Sequence, residues 1–167
     1  MGKTIPPEKF AITKAAQFVS GKKLHLPAYE LFYMWNVFGN MDGKKELLDP
    51  ILTRLNKNIV VLEKENDESL YIMLLLKGVC LKHYGRHEEA IECFQKILKS
   101  ERDIKERNYV PPHAAMEIGL AYLAIENFDD AREWLHRARD DYTGFMYESL
   151  AHLRIHGALL QIRYHKT

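Results

Sequence analysis

Cysteine is scarce in this 167-residue chain: Cys80 and Cys93 are too few for a disulfide framework, and no cysteine–histidine tetrad has zinc-finger spacing. That usage predicts a reducing, cytoplasmic setting. Charge of one sign is lacking as well. Against 24 Lys and Arg stand 23 Asp and Glu, which removes the bulk attraction of a dedicated nucleic-acid binder, so no nucleic acid is expected as partner. Long hydrophobic runs are missing: the most apolar stretch, Leu70 to Leu76, meets Lys77 far short of the ~20 residues a membrane span needs. The N-terminus lacks the basic patch and apolar stretch of a secretory signal, and the Met1–Gly2 start of a myristoylation pattern fails at Pro6, where Ser or Thr is required. There is no Gly-rich phosphate loop, no nucleophile elbow and no carboxylate pair set apart from ordinary charged helix faces, so neither catalytic residues nor cofactors are expected.

Strand signals are nearly absent, and helical periodicity takes their place. Pro6–Pro7 opens a segment running to Gly21, and Pro27 opens an aromatic-rich one running to Gly39. From about Lys44 to Glu65, Leu47, Leu48, Ile51, Leu52, Leu55, Ile59 and Leu62 recur at helical spacing, although Pro50 should mark a first turn or divide the segment in two. Asn66 or Asp67 can cap the apolar run Leu70 to Leu81, which Gly85 closes. A further helix starts near His87, where Glu88 and Glu89 suit the positive end of the helix dipole. The charged stretch Ser100 to Asn108 reads as a solvated connection before Pro111–Pro112 restarts a helix, and Thr143 as the N-cap of the last one.

Comparison of the chain with itself organises these segments. Gly78, Leu81, Ala90, Phe94 and Ile97 align without a gap on Gly119, Tyr122, Ala131, Leu135 and Ala138, 41 residues downstream. Gly78 and Gly119 remove a side chain where two antiparallel helices cross, Ala90 and Ala131 do the same from the opposite helix, and the larger residues fill the space beside the crossing. Each hairpin leaves an apolar face that only a neighbour can bury, so such units stack into a solenoid.

This Gly, aromatic, Ala, Phe, Ala ladder resembles the tetratricopeptide repeat; the longer spacing, against a usual period of about 34, is accounted for by the charged insertion before Tyr109. The resemblance implies an all-α, tetratricopeptide-repeat-like solenoid of antiparallel hairpins with a C-terminal capping helix. The expected organisation is one helical repeat domain over 1–167, with degenerate helical units in 1–65, a first clear repeat in 66–100, a second in 109–142 and the capping helix in 143–167. At finer scale, PPEKFAITKAAQF (Pro6 to Phe18), LPAYELFYMWNVF (Leu26 to Phe38) and DYTGFMYESLAHLRIHGALL (Asp141 to Leu160) resemble the C-terminal part of the tetratricopeptide repeat protein 39 family. Members of that family are considerably longer. The resemblance implies an intracellular, non-catalytic adaptor and supplies no catalytic residues.

A solenoid of this kind works through the face lined by the first helix of each hairpin. Registering both glycines on the repeat places Ile72, Leu75, Val79 and Lys82 of one unit, and His113, Met116, Leu120 and Leu123 of the next, on or near that face. They are mostly apolar, which disfavours a clamp for chaperone-tail carboxylates and favours a helix or apolar peptide of another protein lying in the groove. The same residues are equally suited to being covered by adjacent helices. As the alternative, the basic stretch Arg154 to Lys166 gives the last helix a peripheral lipid-surface role, and an exposed first helix offers a homodimer contact.

His152 and His156 stand four apart on a helix, as two metal-binding imidazoles can, but lack the glutamate of H-E-x-x-H and an evident third ligand; His83 and His87 flank a turn. No metal is expected at either pair. Cys80 and Cys93 fall on opposite helices of one hairpin and read as packed, reduced thiols.

Overall fold

The computed structural model describes residues 5–165, so the Met1–Gly2 pattern and the end of the basic stretch at Lys166 lie outside the described residues. Among the described residues eight α-helices follow one another: α1 (Pro6–Val19), α2 (Pro27–Met34), α3 (Lys45–Glu65), α4 (Ser69–His83), α5 (His87–Lys99), α6 (Val110–Ala124), α7 (Phe128–Asp140) and α8 (Glu148–His165). Short 3-10 turns at Val37–Met41 and Glu101–Asp103 complete them, with no strand among the described residues.

From α3 onward each helix packs on the next, and α4, α6 and α8 also pack on one another in sequence. This is the tetratricopeptide-like solenoid, with α4–α5 and α6–α7 as its hairpins and α8 covering the end. Its layering follows from composition. Helices α4 and α6 are apolar on all sides and buried nearly throughout, every residue from Val110 to Gly119 included, whereas α5 and α7 keep one buried stripe and a charged outer face.

Both hairpins close in the same way. Arg86 and Asn127 donate their backbone N–H to the carbonyls of Leu81 and Tyr122, while Gly85 and Glu126 donate to Lys82 and Leu123. These paired bonds satisfy the last carbonyls of each first helix and require a left-handed residue, which is Gly85 (φ 88°) in one turn and Glu126 (φ 60°) in the other. At the crossings, a Cβ on Gly78 would stand 2.4 Å from the Phe94 ring and one on Gly119 2.7 Å from Leu135, so the helices approach as closely as only glycine permits.

Tertiary packing redraws several expected boundaries. Helix α3 runs unbroken through Pro50, because six buried apolar residues on one face offset the single bond that Pro50 cannot donate to Glu46. The Pro27 segment breaks at Asn36, whose φ of 54° ends α2 and lets Phe38 turn into the core. The last helix begins at Glu148 rather than after Thr143, since Phe145 and Tyr147 enter the core from the preceding loop, with Gly144 and Tyr147 in left-handed conformations. The connection before α6 is solvated only in part, because Ile104 and Arg107 are buried. Asp67, one residue before the N-cap Glu68, accepts the Ser69 N–H at the start of α4 through its Oδ1 at 2.7 Å.

Candidate functional site

Four helices that are remote in sequence meet in a buried polar cluster on the α4–α6 face. Helix α6 brings His113 and Glu117 one turn apart, α4 brings Lys82, α2 brings Tyr33 and α8 brings Arg154. Glu117 is fully buried; Lys82 Nζ lies 2.6 Å from one carboxylate oxygen, and Arg154 lies 2.7 Å from the other. The Tyr33 hydroxyl stands 3.1 Å from that second oxygen and 2.9 Å from His113 Nδ1. A hydroxyl has one proton, so Tyr33 donates either to Glu117 or to His113 Nδ1, and the His113 tautomer decides which. The rings of Tyr33, Tyr109 and Phe145 stand edge-on around the imidazole.

The electrostatics follow from this enclosure. Burial alone would raise the Glu117 carboxyl, but Arg154 and Lys82 hold it far below the usual carboxylate range. Burial, reinforced by the Arg154 charge, pushes His113 down to about 3, so the ring is neutral. Burial also lowers Lys82, against the opposing pull of Glu117, and raises the Tyr33 hydroxyl well above its ordinary value. One carboxylate thus bridges two cations, Lys82 buried and Arg154 half-buried, and ties α4, α6 and α8 together at one point. A second buried carboxylate repeats the theme: Glu30 of α2 pairs with Lys14 of α1 at 2.5 Å and accepts the Tyr109 hydroxyl.

The residues expected on the groove face are brought together, and the chain itself covers them. Ile72, Leu75, Val79, Lys82, His113, Met116 and Leu123 are buried and Leu120 is half-buried, because α2 packs on α4, and α8 packs on α6. The balance left by the sequence between open groove and covered core therefore falls on the covered side. Sequence reasoning missed Tyr33, Glu117 and Arg154. Glu117 had a signal: it is the lone charge in an otherwise apolar helix, where burial on every side obliges a carboxylate to find a partner.

The histidine pairs remain separate from any gathered ligand set. His152 Nε2 is 4.0 Å from Glu148 and His156 is exposed, while His83 Nδ1 stands 3.0 Å from Asp42. Among the described residues no three of His, Cys, Asp and Glu come together as a metal would require. Cys80 and Cys93 are free, buried thiols; burial and the Asp49 charge push Cys80 up to about 12, and burial raises Cys93. No helix among the described residues is long and apolar enough to cross a membrane.

Known proteins place this architecture. The family model described as Iml2/Tetratricopeptide repeat protein 39 matches residues 1–84, half of the chain. The chain belongs to the Iml2/Tetratricopeptide repeat protein 39 family. Tetratricopeptide repeat protein ttc-39B of Caenorhabditis elegans is 32% identical over 159 residues, covering 95% of this chain and 27% of that protein. The chain thus spans about a quarter of the length of this curated relative. No solved structure matches. The family match covers α1 to α4 and so takes in Gly78 and Leu81 of the first repeat, whereas the relative is matched over nearly the whole chain.

Proposed function

We propose that this chain is a non-catalytic scaffold that holds a segment of another protein, and that the contact falls at the rim where α1, α2 and α8 meet. The observation that supports this is Trp35, 60% exposed at the mouth of an apolar recess of about 120 Å³ formed by Phe10, Leu31, Met34, Tyr147 and Leu150. A large aromatic ring beside a vacant apolar recess is the anchor chemistry of protein interfaces, where a partner's side chain fills the recess and the ring closes over it. Tetratricopeptide architecture and family membership support the scaffold role itself. A partner aimed at Leu75, Val79, Met116 or Leu120 would first have to displace α2 and α8, so the rim replaces the groove as the proposed contact.

Affinity capture from cell lysate, read by mass spectrometry, compares the wild type with Trp35→Glu, Leu150→Glu and, as control, Val60→Glu on α3. Circular dichroism verifies that each variant is folded. A discrete partner set lost from the first two and kept by the control is expected; capture retained by folded Trp35→Glu sinks the reading. Size-exclusion chromatography with light scattering identifies the competing case, self-association through the exposed Ile12 and Val19 of α1.

A further inference from the structure

Helices α7 and α8 diverge around an open cleft of about 300 Å³ whose lining carries five basic side chains and no carboxylate. Arg132, His136 and Arg139 come from α7, and His156 and Arg163 from α8. Helical spacing produces the arrangement: positions 132, 136 and 139 share one face of α7, and 156, 160 and 163 share the facing side of α8.

The carboxylates that answer these charges lie outside the cleft lining. Asp140 takes Arg139 through contacts of 2.7 and 3.0 Å and lies 3.6 Å from His136 Nδ1, while Asp129 stands 3.5 Å from Arg132. Two carboxylates therefore face three guanidinium groups, and Arg163 has no ion-pair partner among the described residues. The half-buried Leu159 and Leu160 sit between the two basic walls and supply an apolar surface at the same place. Three guanidinium groups around one recess repel one another unless an anion lies between them.

We propose that the α7–α8 cleft binds a phosphate-bearing anion, with Arg132 and Arg163 engaging the phosphate oxygens from opposite walls and the leucines receiving the apolar part of the ligand. Guanidinium groups match phosphate bidentately, and a phosphate supplies the negative charge that the cleft lacks. The same chemistry is offered by a soluble phosphate compound and by a phospholipid headgroup. The site is separate from the apolar rim around Trp35, so the two proposals stand or fall independently.

Isothermal titration calorimetry with inorganic pyrophosphate tests the soluble source. Co-sedimentation with phosphatidylcholine vesicles containing phosphatidic acid, against vesicles containing the same fraction of phosphatidylserine, tests the lipid source. Saturable pyrophosphate binding, or preference for phosphatidic acid, is expected. In either case Arg132→Gln and Arg163→Gln should each weaken binding about tenfold or more, while Lys57→Gln on α3 leaves it unchanged. Absence of binding to both probes overturns the proposal, as does binding that both arginine variants retain. Equal sedimentation with the two lipids in the absence of pyrophosphate binding also overturns it, because bulk charge then suffices.

Discussion

Three glycines among the described residues lie inside α-helices with different neighbours, and replacing each by alanine separates backbone propensity from packing. At Gly78 the new Cβ would stand 2.4, 2.7 and 2.9 Å from three atoms of the Phe94 ring, about 1 Å inside ordinary contact. Phe94 is fully buried, so its ring has nowhere to move. At Gly119 the Cβ would meet Leu135 at 2.7 and 2.9 Å and the Ala131 carbonyl oxygen, which is backbone, at 3.1 Å. Overpacking of this kind costs about 1–3 kcal/mol, partly offset by the ~1 kcal/mol that alanine gains over glycine in a helix. Gly78→Ala and Gly119→Ala should therefore each lose up to about 2 kcal/mol. At Gly157 of α8 nothing lies within 4 Å, so only the propensity acts and the substitution should gain about 0.5–1 kcal/mol. Urea unfolding followed by circular dichroism measures all three. Combining Gly78→Ala with Phe94→Leu, which shrinks the obstructing side chain, should recover about 1 kcal/mol relative to additivity. If Gly78→Ala stabilised the protein as Gly157→Ala does, the close crossing of α4 and α5 would be refuted.

Glu117→Ala leaves Lys82 and Arg154 around a missing counter-charge and should cost about 3–5 kcal/mol in the same urea assay, with Lys82→Met restoring part of it; a loss below ~1 kcal/mol would show that water reaches the cluster. Acid should destabilise the fold in a defined window. His113, pushed down to about 3 by burial, stays neutral in the folded chain, while the unfolded chain takes up a proton below the ordinary value of 6.5. Stability then falls as pH drops from 6.5 towards 3, by up to about 1.4 kcal/mol per pH unit for this one group. His83 and His87, lowered by burial and the Lys82 charge, act with the same sign, and Glu117, held low in the folded state, adds its loss below 4.5. His113→Gln should flatten the slope between pH 6.5 and ~5, ahead of most carboxylate titration, as measured by urea midpoints; an unchanged slope would place the ring in contact with water.

The hairpins were legible because their determinants are short-range and repeated. Gly78, Ala90 and Phe94 are spaced to meet across one turn, their counterparts 41 residues on do the same, and Gly85 marks the turn itself. Even so, the second turn closes on Glu126, a residue with no sequence signal for a left-handed conformation. The start of α8 was misplaced for a related reason. Thr143 is a sound local cap, but local preference yields where Phe145 and Tyr147 gain more by entering the core than by extending a helix.

What covers the α4–α6 face was beyond local reading. Apolar helix faces look alike whether they meet a partner or the same chain, and the contacts that decide the matter join residues far apart in sequence. Tyr33 reaches Glu117 across 84 positions, and Arg154 arrives from the far end of the chain. The sequence by itself determined the helical register, the repeated close crossings and the stacking that they oblige, because periodicity and side-chain size act over one or two turns. Only the tertiary structure decided that α2 and α8 fill the face between the repeats, that a single buried carboxylate holds two cations there, and that basic residues of α7 and α8 face one another across an open cleft. Those outcomes depend on how whole helices are placed, and a buried charge has no stable place until its partners have arrived.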